Sequence, residues 1–367
     1  MIEHAFGETQ PLTLGAEEEL MILDATSLDQ VGAVDALLDA ASGRPLPGAL
    51  KTELFASIVE LNAGVCGDVR SCADALAGLR AAAREAAAAR GLVLAAAATH
   101  PFARPEAQPV VDEERYTSFV DYAGISARRQ GVQGLHVHVG MPSGEACWRV
   151  LEGMLPWLPL LLALSANSPW LSGEATGFAS NRAPILAELP RAGAPPPLGS
   201  YAGWETWVER LVGMGVTADY TRIWWDVRPH PAFGTLEVRV PDQPTDVRLS
   251  AAFAALLQAL CAAALADDLP RNGALLGDRG RGDYAQNRWA AARFGPRAEL
   301  LHPDGRRVAS AAAVGAELVE RVRPHADALG GRRLLDAVEP ARCEADRQLE
   351  FETAAEATAD LVARTLE

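Results

Sequence analysis

The sequence predicts a mixed α+β fold and not a doubly wound parallel one. Two observations carry this. Strand-type alternations fall at 13–23, 92–99, 135–141 and 235–240, and they do not alternate regularly with helical segments. Alanine-rich helical patterns stand at 72–90, 245–266, 309–322 and 354–366.

Taken in order, 13–23 alternates Leu14, Ala16, Leu20 and Ile22 with Glu17 and Glu19. The segment 72–90 sets Leu76 and Leu79 at helical spacing, and Gly91 stops it. A short apolar run follows at 92–99. In 135–141, Leu135, Val137 and Val139 oppose His136 and His138. The apolar segment 148–164 reads as helix interrupted by Pro156 and Pro159, and 192–203, with its three consecutive prolines, reads as loop. In 235–240, Leu236, Val238 and Val240 oppose Glu237 and Arg239. The longest apolar stretch, 249–266, reaches the lower limit of a membrane span, but it is mostly alanine and holds Ser250, Gln258 and Cys261, so it reads as a buried helix. The Gly-, Arg- and Asp-rich segment 270–283 reads as a loop and a candidate lid.

Length and charge narrow the function. At 367 residues the chain is long enough for one large domain or two, and its core needs no staples. With 33 Lys+Arg against 48 Asp+Glu the net charge is −15, which argues against a nucleic-acid partner and against an anionic membrane surface. Lys51 is the single lysine and follows Leu50, so no P-loop is present, and no G-x-G-x-x-G follows a strand. Five scattered cysteines without C-x-x-C, and a start lacking a signal-type apolar stretch, lead us to expect a reduced, cytoplasmic chain.

Chemistry concentrates on the strands. Side chains two apart on a strand share a face. Glu17 and Glu19 therefore share one, as do His136 and His138, and Glu237 and Arg239, each pair with apolar neighbours behind it. If the three strands lie in one sheet, three carboxylates, two imidazoles and a guanidinium converge. Such crowding raises carboxylate pKa values unless a cation intervenes, and oxygen donors with an imidazole suit Mg²⁺ or Mn²⁺. Glu53 and Glu60, seven apart, could share a helix face or come from separate short pieces. Singly, each pattern reads more simply as a solvated acidic edge, a surface ion pair or an exposed helix face; the conjunction gives them meaning. Glu18 falls on the apolar side of its strand, and patterning assigns it nothing beyond a strand-edge charge.

These residues sit in motifs that resemble the type 2 glutamate–cysteine ligases, also called carboxylate–amine ligases, of the glutamine synthetase-like superfamily. The motifs are Thr-Leu-Gly-Ala-Glu-Glu-Glu (13–19), Val-Glu-Leu-Asn-Ala-Gly-Val-Cys (59–66), Gly-Leu-His-Val-His-Val-Gly (134–140), Ser-Ala-Asn-Ser-Pro-Trp (165–170), Ala-Ser-Asn-Arg (179–182), Trp-Trp-Asp-Val-Arg-Pro (224–229) and Phe-Gly-Thr-Leu-Glu-Val-Arg-Val-Pro-Asp (233–242). Asn287-Arg288-Trp289 also fits. The resemblance spans 12–295 and implies a single catalytic domain over 1–367 with a helical part at 296–367. The implied fold is a curved, mainly antiparallel sheet carrying the site on its concave face, with helices behind.

The resemblance also implies roles. Glu17, His136 and Glu237 would hold a metal bridging nucleotide phosphates; Glu19, Glu53 and Glu60 would hold one near the acceptor carboxylate. Arg239 would steady the transferring phosphoryl group, Arg182 and Arg228 would bind anions, and His138 would orient substrate. Two departures, Asn181-Arg182 with Pro184 close behind and Trp170-Leu171, fall where the family is expected to line the acceptor pocket. The implied activity is an ATP- and Mg²⁺-dependent (or Mn²⁺-dependent) ligase joining glutamate to an amine such as cysteine through an acyl phosphate, in a homo-oligomer, expected as a dimer. The alternatives are a guanidino-kinase-like phosphoryl transferase, metal-assisted hydrolysis, or a non-catalytic nucleotide-binding relative.

Overall fold

The strand alternations assemble as one sheet. In the structure, a computed structural model describing residues 2–269 and 277–365, the strands are β1 (Leu14–Asp24), β2 (Ala49–Thr52), β3 (Ile58–Asn62), β4 (Leu92–Ala95), β5 (Leu135–Gly140), β6 (Trp170–Leu171), β7 (Glu174–Ala175), β8 (Val227–His230), β9 (Thr235–Val238), β10 (Glu299–Leu301) and β11 (Val308–Ser310). The main sheet runs β2-β3-β1-β5-β9-β8, with β4 on the far end of β1. Every pairing in it is antiparallel. β6–β7 and β10–β11 form separate two-stranded ribbons.

Helices cover the apolar face. Val69–Ala88, Gly144–Met154 and Val247–Leu265 pack on the side of Leu14, Ala16, Leu20, Ile22, Val137 and Val139, all buried in one hydrophobic cluster. Each such large side chain removed from water contributes about 1.5–3 kcal/mol, so this layer fixes which way the sheet faces. Asp68 caps the first helix by accepting from Ser71 N at 2.7 Å, and Asp246 caps the third by accepting from Arg248 N at 2.8 Å. Val247–Leu265 and Gly144–Ser165 have the length and apolarity of membrane spans, but 83% and 78% of their apolar windows are buried inside this core. All five cysteines are buried and unpaired.

The other face is apolar only at one end. Past Glu19, β1 continues with Met21 and Leu23, which with Ala95 and Ala97 pack under Leu361 of the C-terminal helix Ala354–Thr365. That helix therefore closes the end of the sheet and leaves the acidic part of the same face open. One sequence reading is sharpened and another needs correction. The segment 148–164 is two helices, Gly144–Met154 and Leu158–Ser165, divided by a 3₁₀ turn at Leu155–Trp157 with Pro156 inside it, where the missing N–H interrupts the helical ladder. Residues 278–283, read as loop, open the helix Asp278–Phe294; 270–276, the rest of the candidate lid, lie outside the described residues.

Candidate active site

Register turns the local alternations into rows. Glu17 pairs with Asn62 on β3 and with His136 on β5. His138 pairs with Gly15 on one side and Glu237 on the other, and Glu237 pairs with Arg228. Glu19 pairs with Glu60, which pairs with Lys51. Three rows about 7 Å apart thus cross the open face: Gly15–His138–Glu237–Arg228, then Asn62–Glu17–His136, then Glu19–Glu60–Lys51. Arg239, two residues past Glu237, shares its face and is fixed by its N–H donating to Asp226 O at 2.8 Å.

The rows touch. His136 Nδ1 lies 3.4 Å from Glu17 Oε2, and its Nε2 lies 3.9 Å from Glu19 Oε1. His138 Nε2 is 3.9 Å from Glu17 Oε1, and its Nδ1 is 2.9 Å from Thr235 Oγ1. Asn62 Nδ2 donates to Glu17 at 2.9 Å, and Gly134 N donates to Glu19 at 2.7 Å. Lys51 reaches Glu60 at 3.5 Å.

Burial sets the electrostatics. It pushes Glu19 up to about 8 with help from the Glu53 charge, and Glu60 up to about 8 with help from Glu17 and Glu53. Glu53 rises for the same first reason. Burial works against Glu17 too, but the His136 hydrogen bond and the charges of His138 and His136 outweigh it and bring it down to about 2. His136 itself falls to about 4 through burial and the neighbouring Arg239. Carboxylates crowded out of water in this way, with imidazole nitrogens beside them, are a donor set suited to a divalent cation. It is a donor set and not a formed cage: among the described residues no three His, Cys, Asp or Glu side chains are placed to hold an ion.

The structure places the sequence candidates unequally. Glu17, Glu19, Glu60, His136 and His138 stand together. Glu60 is on β3 and Glu53 follows β2, so separate pieces and not a helix face bring them near. Glu237 is held by arginines: Arg228 Nε and Nη2 reach its oxygens at 2.5 and 3.2 Å, and Arg239 Nη1 pairs with it. Although burial alone would raise its pKa, Arg228 and Arg239 hold it well below the usual carboxylate range. Arg228, read as an anion binder, is buried, and its Nη1 donates to Thr221 O and Ile223 O at 2.8 and 2.7 Å, so it holds Glu237 and two backbone carbonyls in place of a ligand. Arg182 donates to Val240 O and Arg239 O at 3.2 and 2.9 Å, yet it still lines the cavity described below.

Several motifs turn out to be scaffold. Buried Asp242 accepts from Asn167 N, Ser168 Oγ and Ser180 Oγ at 2.9, 2.8 and 2.9 Å, which ties the 165–170 and 179–182 segments to the stretch that follows β9. Asp226 accepts from Tyr284 and from Arg288 Nε, both at 2.6 Å, and so locks the strand that holds Arg239. Trp170 does not line the cavity; its indole donates to Gln348 O at 3.2 Å, beneath the C-terminal helix. Glu18, unassigned by patterning, faces the helix layer and makes a two-pronged ion pair with Arg80 at 2.6 and 2.7 Å.

A cavity of about 230 Å³ opens against Glu19, Glu53, His136, Arg182 and Arg239. Its remaining wall brings in Trp224, from the 224–229 motif, together with Arg115, Phe119, Gln130, Leu186, Leu189 and Arg222, which did not stand out in the sequence. No local signal could have found those six, because each is an isolated residue whose neighbours in space come from distant segments.

An open antiparallel sheet with helices behind and an acidic, imidazole-bearing face in front is the glutamine synthetase-like α+β architecture. The family model described as glutamate-cysteine ligase family 2 matches residues 13–363, and the chain belongs to that family. A relative named "Putative glutamate--cysteine ligase 2-3" from Rubrobacter xylanophilus is 39% identical over 337 residues, 92% of this chain and 90% of that protein. A relative of the same numbered type from Herpetosiphon aurantiacus is 36% identical over 329 residues, 90% of this chain and 85% of its own. Among solved structures, glutamate–cysteine ligase from Francisella tularensis in complex with AMP superposes with a TM-score of 0.68 at 16% identity, covering 98% of this chain and 89% of that one. A bifunctional glutathione synthetase from Pasteurella multocida gives 0.66 at 14% identity, covering 97% of this chain and 53% of that one. These two likenesses speak to the fold.

Proposed function

We propose that this ligase-family chain joins the side-chain carboxylate of glutamate to an amine, cysteine being one candidate, and releases ADP and phosphate. The observation that carries the reading is the row Asn62–Glu17–His136 with Arg239 on the same face, flanked by Glu19 and Glu60. A carboxylate is a poor acyl donor because its oxygen leaves badly. Transfer of the terminal phosphoryl of ATP onto it gives an acyl phosphate; the amine then attacks that carbonyl, phosphate leaves, and the amine proton is lost to solvent or a base.

The residues divide this work by position. Mg²⁺ or Mn²⁺, with Glu17, His136 and Glu237 as one candidate ligand set and Glu19, Glu53 and Glu60 as the other, would supply neutralising charge for the terminal phosphates. Arg239 projects from the same surface and offers a guanidinium to the transferring group, while Glu237 and the Asp226 carbonyl hold it in place. Thr235 orients His138 toward Glu17 and so keeps one imidazole edge on the substrate side.

The test is direct. Glutamate, ATP, Mg²⁺ and an amine panel should give ADP, phosphate and an amide identified by mass. Stoichiometric AMP, a stable phosphoguanidine, or product formed without ATP would each replace this reading with another.

A further inference from the structure

Four arginines line the cavity beside the acidic face, and three of them already face a carboxylate. Arg239 pairs with Glu237, Arg115 pairs with Glu113 at 2.9 Å, and Arg182 lies 3.8 Å from Asp242. Arg222 differs. Its Nη2 donates to the neutral Ser118 hydroxyl at 2.8 Å, and its carbonyl accepts from Arg191 Nε at 3.2 Å. Among the described residues no carboxylate pairs with it. A half-buried guanidinium without a counter-charge, on the wall of a small cavity, is an anchor for a ligand carboxylate.

Much of the wall around it is apolar. Phe119 and Trp224 meet with ring centroids 5.1 Å apart, and Leu54, Val132, Leu186 and Leu189 add to this apolar part, beside the polar Gln130 and Thr221. Leu54 and Leu189 are buried, and Arg191 lies 5.8 Å from the Trp224 ring, which helps fix the indole. Tyr116 contributes only its ring, since its hydroxyl donates to Thr52 O at 2.9 Å. Phe119, Trp224, Leu186 and Leu189 themselves offer a thiol no acidic or sulfur partner, while the carboxylates Glu19 and Glu53 line another part of the same cavity. The groups that would meet the reacting amine, Glu19, His136 and Arg239, border the same cavity.

We propose that the amine substrate is a free α-amino acid with an apolar side chain, its carboxylate on Arg222 and its side chain against Phe119, Trp224, Leu186 and Leu189. This rests on the ligase reading above and goes further, because it places leucine- or phenylalanine-like acceptors ahead of cysteine. Apolar pockets discriminate by roughly 10–200-fold for each methylene that fits or is missing, and leucine presents more apolar surface than cysteine.

The experiment compares leucine, phenylalanine, cysteine and 3-methylbutylamine (leucine without its carboxylate) as acceptors, with glutamate, ATP and Mg²⁺, reading ADP release and product mass. The expected kcat/KM for leucine or phenylalanine exceeds that for cysteine, and leucine exceeds 3-methylbutylamine, each by about tenfold or more. Arg222→Met should shrink the leucine to 3-methylbutylamine ratio to within about threefold, and Arg222→Lys should restore part of it. Cysteine used as well as or better than both apolar acids, or a ratio untouched in Arg222→Met, overturns the assignment while the ligase reading stands. ADP release with no acceptor at all overturns the ligase reading. Calorimetric titration of the wild-type protein then decides the pocket alone: leucine binding about tenfold tighter than cysteine supports it, and equal or weaker binding overturns it.

Discussion

Replacing Arg80 with methionine removes the counter-charge of a fully buried carboxylate. Glu18 is 0% exposed, and its oxygens take Arg80 Nε and Nη2 at 2.7 and 2.6 Å, Ser250 Oγ at 2.5 Å and Gln243 Nε2 at 3.0 Å. Arg80 also donates to Thr245 O and Pro244 O at 2.5 and 2.9 Å, so it joins β1 to the segment leading into the helix Val247–Leu265. Removing one partner of such a pair costs about 3–5 kcal/mol, because the remaining charge stays buried without compensation. For a chain of 367 residues the unfolding entropy is about 0.8 kcal/mol per kelvin, so Tm should drop by about 4–6 °C. Differential scanning calorimetry and urea unfolding measure it. The double variant Glu18→Leu/Arg80→Met should be less destabilised than the sum of the single variants, since neither charge is then stranded. Arg80→Met should also lower kcat, because Glu18 sits between Glu17 and Glu19 and sets how β1 presents both. A Tm drop below about 1 °C for Arg80→Met, or strict additivity in the double variant, would refute the claim that this buried pair anchors the site strand.

Three further outcomes follow from the same geometry. Glu237→Gln should keep the far-ultraviolet dichroism of the folded protein and lower turnover by at least about a hundredfold, the scale of losing one charge-organising group at a reaction centre; turnover near wild type would remove Glu237 from the site. Adding Mg²⁺ should raise Tm and a chelator should reverse it, since an ion binding only the folded state at a hundred times its Kd adds about 2.7 kcal/mol, and an unchanged Tm across millimolar Mg²⁺ would count against the donor set of Glu19, Glu53 and Glu60. Burial holds His100 down at about 4 against an ordinary 6.5, its Nδ1 accepting from Phe102 N and Ala103 N at 3.2 and 2.9 Å. The unfolded chain therefore binds the extra proton first, and this contribution is intact above pH 6.5 and is lost progressively toward pH 4, by about 3 kcal/mol at most. His100→Asn, which keeps an acceptor but cannot titrate, should flatten the fall in stability between pH 7 and 4.5, and identical slopes would exclude His100 as its source.

Much of the site was legible because strand geometry is local. Once 13–23, 135–141 and 235–240 are strands, Glu17 must share a face with Glu19, His136 with His138, and Glu237 with Arg239, whatever the rest of the chain does. The family resemblance then implied a metal-binding role for Glu60 and grouped Glu53 with it. Spacing alone left two arrangements open where both periods fitted. Glu53 and Glu60 satisfy a helical repeat, yet β3 takes Glu60 into a ladder with β1 on one side and β2 on the other, which an isolated two-turn helix lacks, and Glu53 falls in the connection just past β2.

Partnerships were decided elsewhere. The sequence by itself determined which side chains look out from each strand, and hence that acids, imidazoles and a guanidinium would face one way. Only the tertiary structure decided that Arg228 secures Glu237, that Arg80 neutralises Glu18, that Met21 and Leu23 vanish beneath the C-terminal helix, and that Arg222 borders the cavity with no carboxylate paired to it among the described residues. The physical reason is range. Alternation is fixed by the backbone over two residues, whereas a buried charge meets its partner only when segments such as 18 and 80 are brought together by the burial of apolar surface they do not themselves contain.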